Sequence, residues 1–272
     1  MPRQVFFLDS AKGRRFAILS RPQTAPVGGV LFLHPFAEEL NRSRRMAALA
    51  ARAFAQEGWV VLQLDLAGCG DSEGDFGDAG WPDWIDDVAV GWRWLQAECG
   101  DAPLVLWSLR AGSLLAADWL ARSAASVPLL LWQPITNGSQ CLTQFLRLRA
   151  AKEMLGEGDA KPIMAALRAE IAAGIAVEIG GYLLSPALAQ GLGAASLRLP
   201  EGYSAPVAVL EIVSSDRTEP SPALTALASR GQLGVRPSLA VVQGVDFWQT
   251  QEIEVVPALI ECSKDALQGF LK

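Results

Sequence analysis

Arg110 poses the chemical question of this chain. It sits at the centre of Ser108-Leu109-Arg110-Ala111-Gly112, directly after the apolar run LVLW. Small residues two places either side of a central position mark a tight strand-to-helix turn that lifts a nucleophile to its apex. A guanidinium cannot be that nucleophile, because it stays protonated at physiological pH and has no lone pair to offer. Shifting the register to centre the turn on Ser108 would put Leu106 and Arg110 at the flanking positions, where bulk blocks the bend. A guanidinium at a helix start can instead bind an anion, helped by the amides of Ala111 and Phe36, or it can lock into an ion pair.

The carboxylates available to such a pair are Glu38, Glu39, Asp216 and Asp246. Glu38 and Glu39 are adjacent, and paired carboxylates supply general acid-base chemistry or metal ligation when one is desolvated. Adjacent loop side chains point apart, however, and Arg42, Arg44 and Arg45 offer salt bridges. His34 is the sole histidine, so imidazole base chemistry has one candidate. Cys69, between glycines in AGCGDSEG, has no neighbouring histidine to activate it and reads as a packing thiol. The four cysteines form no C-x-x-C pair, so neither a disulfide framework nor a zinc site is expected, and no cofactor is called for. Of nine tryptophans, Trp132 and Trp248 flank strand ends that face the presumed site, while Trp59, Trp92, Trp94, Trp107 and Trp119 fit core faces.

These side chains need a scaffold, and eight β-rich runs provide it, at residues 4–8, 15–19, 29–34, 59–65, 103–107, 128–132, 206–213 and 238–242. From the third onward they are almost wholly apolar, as strands buried on both faces of a parallel sheet must be. Helical patterns fall at 42–56, 84–97, 111–124, 222–230 and 252–271, the fourth opened by Ser221 as N-cap and Pro222 at the first helical position. The alternation predicts a doubly wound α/β sheet with right-handed crossovers. Turn residues join the first two runs, which predicts an antiparallel hairpin at the sheet edge. Between 136 and 203 the texture becomes Ala/Leu/Gly-rich, with helical segments at 140–155, 159–173 and 183–192 and no strong strand candidate. This predicts a helical cap inserted into a core of residues 1–135 and 204–272, its apolar i, i+3, i+4 positions packing on the body beneath.

Ligand sites in such sheets lie beyond the carboxyl ends of the strands. There the chain reads His34-Pro35-Phe36 after the third run, DLAGCGDSEG from Asp65 after the fourth, the Arg110 turn after the fifth, and SDRTEP from Ser215 after the seventh. In order and spacing these resemble the α/β-hydrolase fold across nearly the whole chain, the D-x-x-G-x-G-x-S-x-G run most specifically. HPFAEELNRSRRM, LWSLRAG, LWQPITNG, GGYLLSPAL and GVDFWQTQEIEVVPAL resemble the exosortase A system-associated hydrolase family, type 2. That resemblance implies a genomic setting beside bacterial exosortase/PEP-CTERM sorting and exopolysaccharide genes. The resemblance to the α/β-hydrolase fold implies a Ser-His-Asp triad, from which this chain departs twice. Arg110 holds the nucleophile position, and the stretch QGVDFW at 243–248 puts Asp246 or Phe247 where imidazole is expected. Asp216 matches the triad acid but has no imidazole to orient. His34 matches an oxyanion-side position on the third strand, where histidine braces a loop.

With 51% apolar and 19% charged residues the chain has ample core, and a net charge of −6 argues against nucleic acid or anionic membrane as partner. Its longest apolar run is about half the roughly 20 residues of a membrane span. The start MPRQVFFLDS lacks a secretory pattern, so a cytoplasmic location is expected. Two functions stand open. One is binding of an anionic small molecule or partner protein beneath the cap, with His34, Phe36, Glu38, Arg110, Ala111 and Trp248 as contacts. The other is atypical hydrolysis of an ester or acyl substrate, with Arg110 as electrophile and Glu39 or Asp216 activating water. Serine-directed fluorophosphonate probes are expected to leave the native protein unlabelled in intact-mass spectra. Stoichiometric labelling at Ser108 would instead restore an ordinary serine hydrolase.

Overall fold

The computed structural model describes residues 3–154, 160–235 and 237–272. Its centre is β3 (Gly28–Leu33), buried along its whole length because parallel strands pair with it on both sides. These are β4 (Trp59–Leu64) and β5 (Leu104–Leu109). Outward from β5 follow β6 (Leu129–Trp132), β9 (Val207–Val213) and β10 (Ser238–Gln243), all parallel. On the other side β2 (Gly13–Ser20) runs antiparallel to both β4 and the edge strand β1 (Arg3–Ser10), giving the order β1-β2-β4-β3-β5-β6-β9-β10. The expected edge hairpin is therefore present.

Alternate residues of each central strand feed two apolar layers, as the period of two requires. Val30 and Phe32 join Met46, Phe54, Trp107 and Trp132 in the layer under α1 (Glu38–Gln56) and α8 (Pro257–Gly269). Leu31 and Leu33 join Val88, Leu95 and Leu115 under α2 (Trp81–Cys99) and α3 (Gly112–Ser123). The short α7 (Pro222–Ser229) starts as expected, with Ser221 Oγ accepting from the Leu224 amide at 3.5 Å. Helix α1 starts four residues before the expected position 42, after Ala37 turns at φ 50°. That shift places Glu38 and Glu39 in its first turn, where the exposed amides favour acidic residues.

Between β6 and β9 lie α4 (Gly138–Met154), α5 (Ala160–Ala172), β7 (Val177–Ile179), β8 (Tyr182–Leu184) and α6 (Pro186–Ala194). The β7–β8 hairpin corrects the expectation of helices alone. Each strand has three residues, too few for a periodic signature. Its Gly180-Gly181 turn at φ 59° and 88° is nonetheless the glycine pair that two-residue hairpins demand. The helix expected at 183–192 consequently starts at Pro186, with Ser185 Oγ accepting from the Leu188 amide at 3.0 Å. The expected ends at Leu155 and Asp159 lie outside the described residues. No described helix is long and apolar enough to cross a membrane.

One buried ion pair fastens the hairpin to this frame. Arg15 Nε donates to Asp87 on α2 at 2.7 Å, and both side chains are 1% exposed. Asp87 also accepts from Ser10 Oγ at 3.0 Å and from the Ala67 amide at 2.7 Å, so one carboxylate joins β1, β2, α2 and the loop after β4. Burial pushes the Asp87 carboxyl upward and the Arg15 charge opposes it. Arg15→Ala is expected to cost about 3–5 kcal/mol in urea denaturation at neutral pH, the range for stripping one partner from a buried pair. With its pKa raised further above the unfolded value, Asp87 takes up a proton in the folded state, so the deficit should shrink as pH falls. A variant as stable as the parent would show that the pair contributes nothing net.

Candidate functional site

At the carboxyl end of β5 the backbone makes the strained turn that the sequence foretold. Arg110 has φ 53°, a left-handed conformation that costs a non-glycine residue about 1–2 kcal/mol. Its amide donates to the Trp132 carbonyl at 3.0 Å, and its carbonyl accepts from the Ser113 and Ile135 amides at 3.1 and 3.2 Å. Gly112 lies so close to β3 that a Cβ there would stand 2.3 Å from the Leu33 carbonyl oxygen, and Ser108 is fully buried beneath. Strain held this firmly at a strand end makes Arg110 a candidate functional position.

The Arg110 side chain enters a cavity of about 520 Å³. One edge of its guanidinium faces Glu39, with Nη2 at 3.1 Å and Nε at 3.2 Å from Oε1. Its Cζ lies 5.2 Å from the centre of the Trp248 ring, a cation–π contact. Burial pushes the Glu39 carboxyl upward while the Arg110 charge and hydrogen bonds oppose it. Cys141 shares the cavity, and burial with the nearby Glu39 charge pushes its thiol up to about 12, so it is no nucleophile at neutral pH. Phe36, Phe145, Leu148 and Trp248 form apolar walls, and Ala37, Glu38, Arg42, Gln144 and Gln249 complete the lining.

Glu38 and Glu39 diverge, as successive residues on a helix must. Glu38 accepts from the Tyr182 hydroxyl at 2.9 Å and from Asn41 Nδ2 at 3.1 Å, and faces Arg42 at 3.6 Å, so it ties α1 to β8. Arg42 also donates to the carbonyls of Gln249 and Thr250, fixing the loop that carries Trp248. Arg44 turns away and grips Asp65 at 3.0 Å.

His34 belongs to the frame. Its Nε2 accepts from the Leu66 amide at 3.3 Å, which places the proton on Nδ1 for donation to the Pro35 carbonyl at 2.8 Å. Burial lowers its pKa, so the ring is neutral and both nitrogens are engaged. It lines a separate cavity of about 300 Å³ beside Arg44 and Asp65, which corrects its expected place as a ligand contact next to Arg110. The glycine-rich run after β4 is structural too. Asp65 Oδ2 accepts from the Asp71 amide at 3.1 Å, and Ser72 Oγ donates to the Asp65 carbonyl at 2.5 Å while accepting from the Phe16 amide at 2.9 Å. Cys69 is buried there and burial drives its thiol further upward. Ala111 is buried at the N-cap of α3 and does not line the cavity.

Asp216 and Asp246 require correction. Both are exposed and neither lines the cavity. After β9 the organising carboxylate is the buried Glu211, which pairs with Arg217 at 3.0 Å and accepts from the Ser221 amide at 2.7 Å, leaving Asp216 to water. After β10 the buried rings of Phe247 and Trp248 turn inward, so Asp246 turns out. The ring meeting Arg110 is thus Trp248, neither of the two residues expected at the imidazole position. The sequence reading also missed the α4 side of the cavity, although Cys141, Gln144, Phe145 and Leu148 follow i, i+3, i+4, i+7 spacing on that helix. That spacing signals a face turned to something, and here it faces open space as well as core.

The sequence model of the serine aminopeptidase S33 family matches residues 24–156. No curated protein sequence matches the chain. Among solved structures, Est1E of Butyrivibrio proteoclasticus with ferulic acid bound is 15% identical at a TM-score of 0.64, covering 98% of this chain and 99% of that one. A thermostable carboxyl esterase of Bacillus coagulans, in complex with glycerol, is 15% identical at 0.64 and covers 100% of both chains. An α/β serine hydrolase without a lid from Xanthomonas campestris is 15% identical at 0.59, covering 99% of this chain and 93% of that one.

Because the Arg110 and Glu39 side chains are 13% and 24% exposed, breaking their pair should cost less than a fully buried one. Arg110→Met is expected to lose about 2–3 kcal/mol at neutral pH in chemical denaturation. Without the guanidinium the Glu39 pKa rises further above its unfolded value, so the loss should diminish as pH falls from neutrality towards the ordinary carboxylate range, through the raised pKa values. A loss that grows in acid would mean that Glu39 is not the group left unpaired.

Proposed function

Because the chain has the α/β-hydrolase fold with Arg110 at the apex of its elbow, we propose that it binds an organic anion with a planar apolar body, and that its hydrolytic triad is vestigial. One observation carries this reading. The strained apex aims a guanidinium into the cavity, and Glu39 occupies only its Nε and Nη2 edge. Arg110 Nη1 has no partner among the described residues. A ligand carboxylate can therefore bridge Nη1 and the second Nη2 proton end-on, in the forked geometry that suits arginine. Phe36, Phe145, Leu148 and Trp248 would cover its apolar part. Ferulic acid, held by Est1E, is a ligand of this class.

The lone neutral His34 and the arginine at the nucleophile position support a binding role over hydrolysis. The resemblance to exosortase A system-associated hydrolases supports a cytoplasmic role beside polysaccharide and protein-sorting machinery, with the ligand small enough for a 520 Å³ cavity.

Isothermal titration with aryl carboxylates such as cinnamate tests the proposal. Binding is expected to fall roughly ten- to a hundredfold in Arg110→Gln, the worth of a charge-assisted hydrogen bond. It should tighten as pH falls, because protonation of Glu39 removes the competing negative charge while the ligand stays ionised. No binding, or binding indifferent to Arg110→Gln, refutes the reading. The hydrolase reading rests on the raised Glu39 carboxyl beside the cavity. Turnover of p-nitrophenyl esters or acyl thioesters that is lost in Glu39→Gln would replace binding with catalysis.

A further inference from the structure

From the outer edge of β1 we infer that two copies of this chain pair by antiparallel strand addition, β1 against β1, extending each eight-stranded sheet into the other. Strand β1 is the terminal strand of the sheet and eight residues long, with no proline, lysine or bulge to blunt it. An edge of this kind presents a row of backbone donors and acceptors to any matching strand. Its two faces differ. Phe6 and Leu8 turn inward, Phe6 stacking on Trp94 at 4.9 Å. Val5 and Phe7 stand on the other face, 60% and 45% exposed.

Self-complementarity identifies a second copy as the occupant. A two-fold axis through Phe6, perpendicular to the sheet, puts residues whose numbers sum to 12 opposite one another. Val5 then meets Phe7 of the second copy, and Arg3 meets its Asp9, each contact occurring twice. Shifting by two residues in either direction keeps the faces matched but sets Val5 or Phe7 against itself and leaves both charges without a counterpart. Within one chain neither charge is answered. Asp9 lies across from Arg14, but Arg14 is taken by Glu73 at 2.6 Å. Among the described residues Arg3 donates only to the Ala48 carbonyl, at 2.9 Å, and neither Arg3 nor Asp9 enters an ion pair.

Sedimentation velocity over a range of concentrations tests this. The parent is expected to dimerise, and Val5→Lys with Phe7→Lys to weaken association about tenfold or more, since like charges would meet across both apolar pairs. Arg3→Asp and Asp9→Arg should each weaken it roughly two- to fivefold per pair. Mixing these two single variants should restore association as a heterodimer. One chain then carries acidic side chains at both positions and the other basic side chains at both, so opposite charges meet across each contact. Thermal melts establish that each variant is folded, and the mixing experiment needs no comparison with a damaged strand. A parent that stays monomeric at all concentrations overturns the inference. So does a dimer untouched by the lysine pair, or a mixture no more associated than its components.

Discussion

A guanidinium at the apex of a rigid turn has to be answered where it stands, and much of the carboxyl edge of this sheet is arranged to answer it. The turn cannot relax, because Gly112 is pressed against the Leu33 carbonyl and the Arg110 carbonyl is committed to Ser113 and Ile135. Helix α1 begins early enough to bring Glu39 against the guanidinium. The loop after β10 lays the Trp248 ring on its face. Arg42 then secures that loop to α1 through the Gln249 and Thr250 carbonyls. An ion pair and a cation–π contact together meet the desolvation that either alone would leave uncovered.

The remaining buried charges of this end divide their labour differently. Asp87 with Arg15 and Asp65 with Arg44 each gather a carboxylate's lone pairs onto amides and a guanidinium of neighbouring elements. His34 does the same with an amide and a carbonyl, and burial holds it neutral. The Asp87 pair and His34 are closed, their hydrogen-bonding capacity turned to the frame, while Arg44 gives both terminal nitrogens to the two oxygens of Asp65. Arg110 differs in that Nη1 is open towards a cavity. The proposed binding site therefore centres on position 110, even though the D-x-x-G-x-G-x-S-x-G run around Asp65 is the more conspicuous motif.

Strand positions and their parallel pairing were legible because continuous apolar runs bounded by turns admit few other readings, and the elbow was legible because its small residues answer a backbone demand. What escaped depends on contacts distant in sequence. Nothing local says that Asp216 yields to Glu211, since the preference comes from Arg217 and the Ser221 amide converging on a buried position in β9. Trp248 prevailed over Asp246 because an aromatic ring gains by burial what a lone carboxylate would lose there. The start of α1 was misplaced because Glu38 and Glu39 read as loop charges until Ala37 is seen to turn the chain. The face of α4 was legible as a stripe, but a stripe does not say whether it meets core or cavity.

Arginine at the apex of such an elbow differs from a nucleophile in what the scaffold can stabilise. An elbow with backbone amides behind it suits negative charge that exists only while a bond is being made and broken. A guanidinium at its apex supplies permanent positive charge, so under the proposed binding role the matching ligand would carry permanent negative charge and gain no reaction from being held. Glu39 limits how tightly such a ligand binds, because it neutralises the site that attracts it. In return it keeps the guanidinium oriented and solvated when the cavity holds no anion. The cost of that arrangement falls as Glu39 takes up a proton, which burial already favours. In the proposed site, affinity would thus be set by the charge of Glu39 on one edge of the guanidinium acting against a ligand on the other, with the Trp248 ring against the same guanidinium.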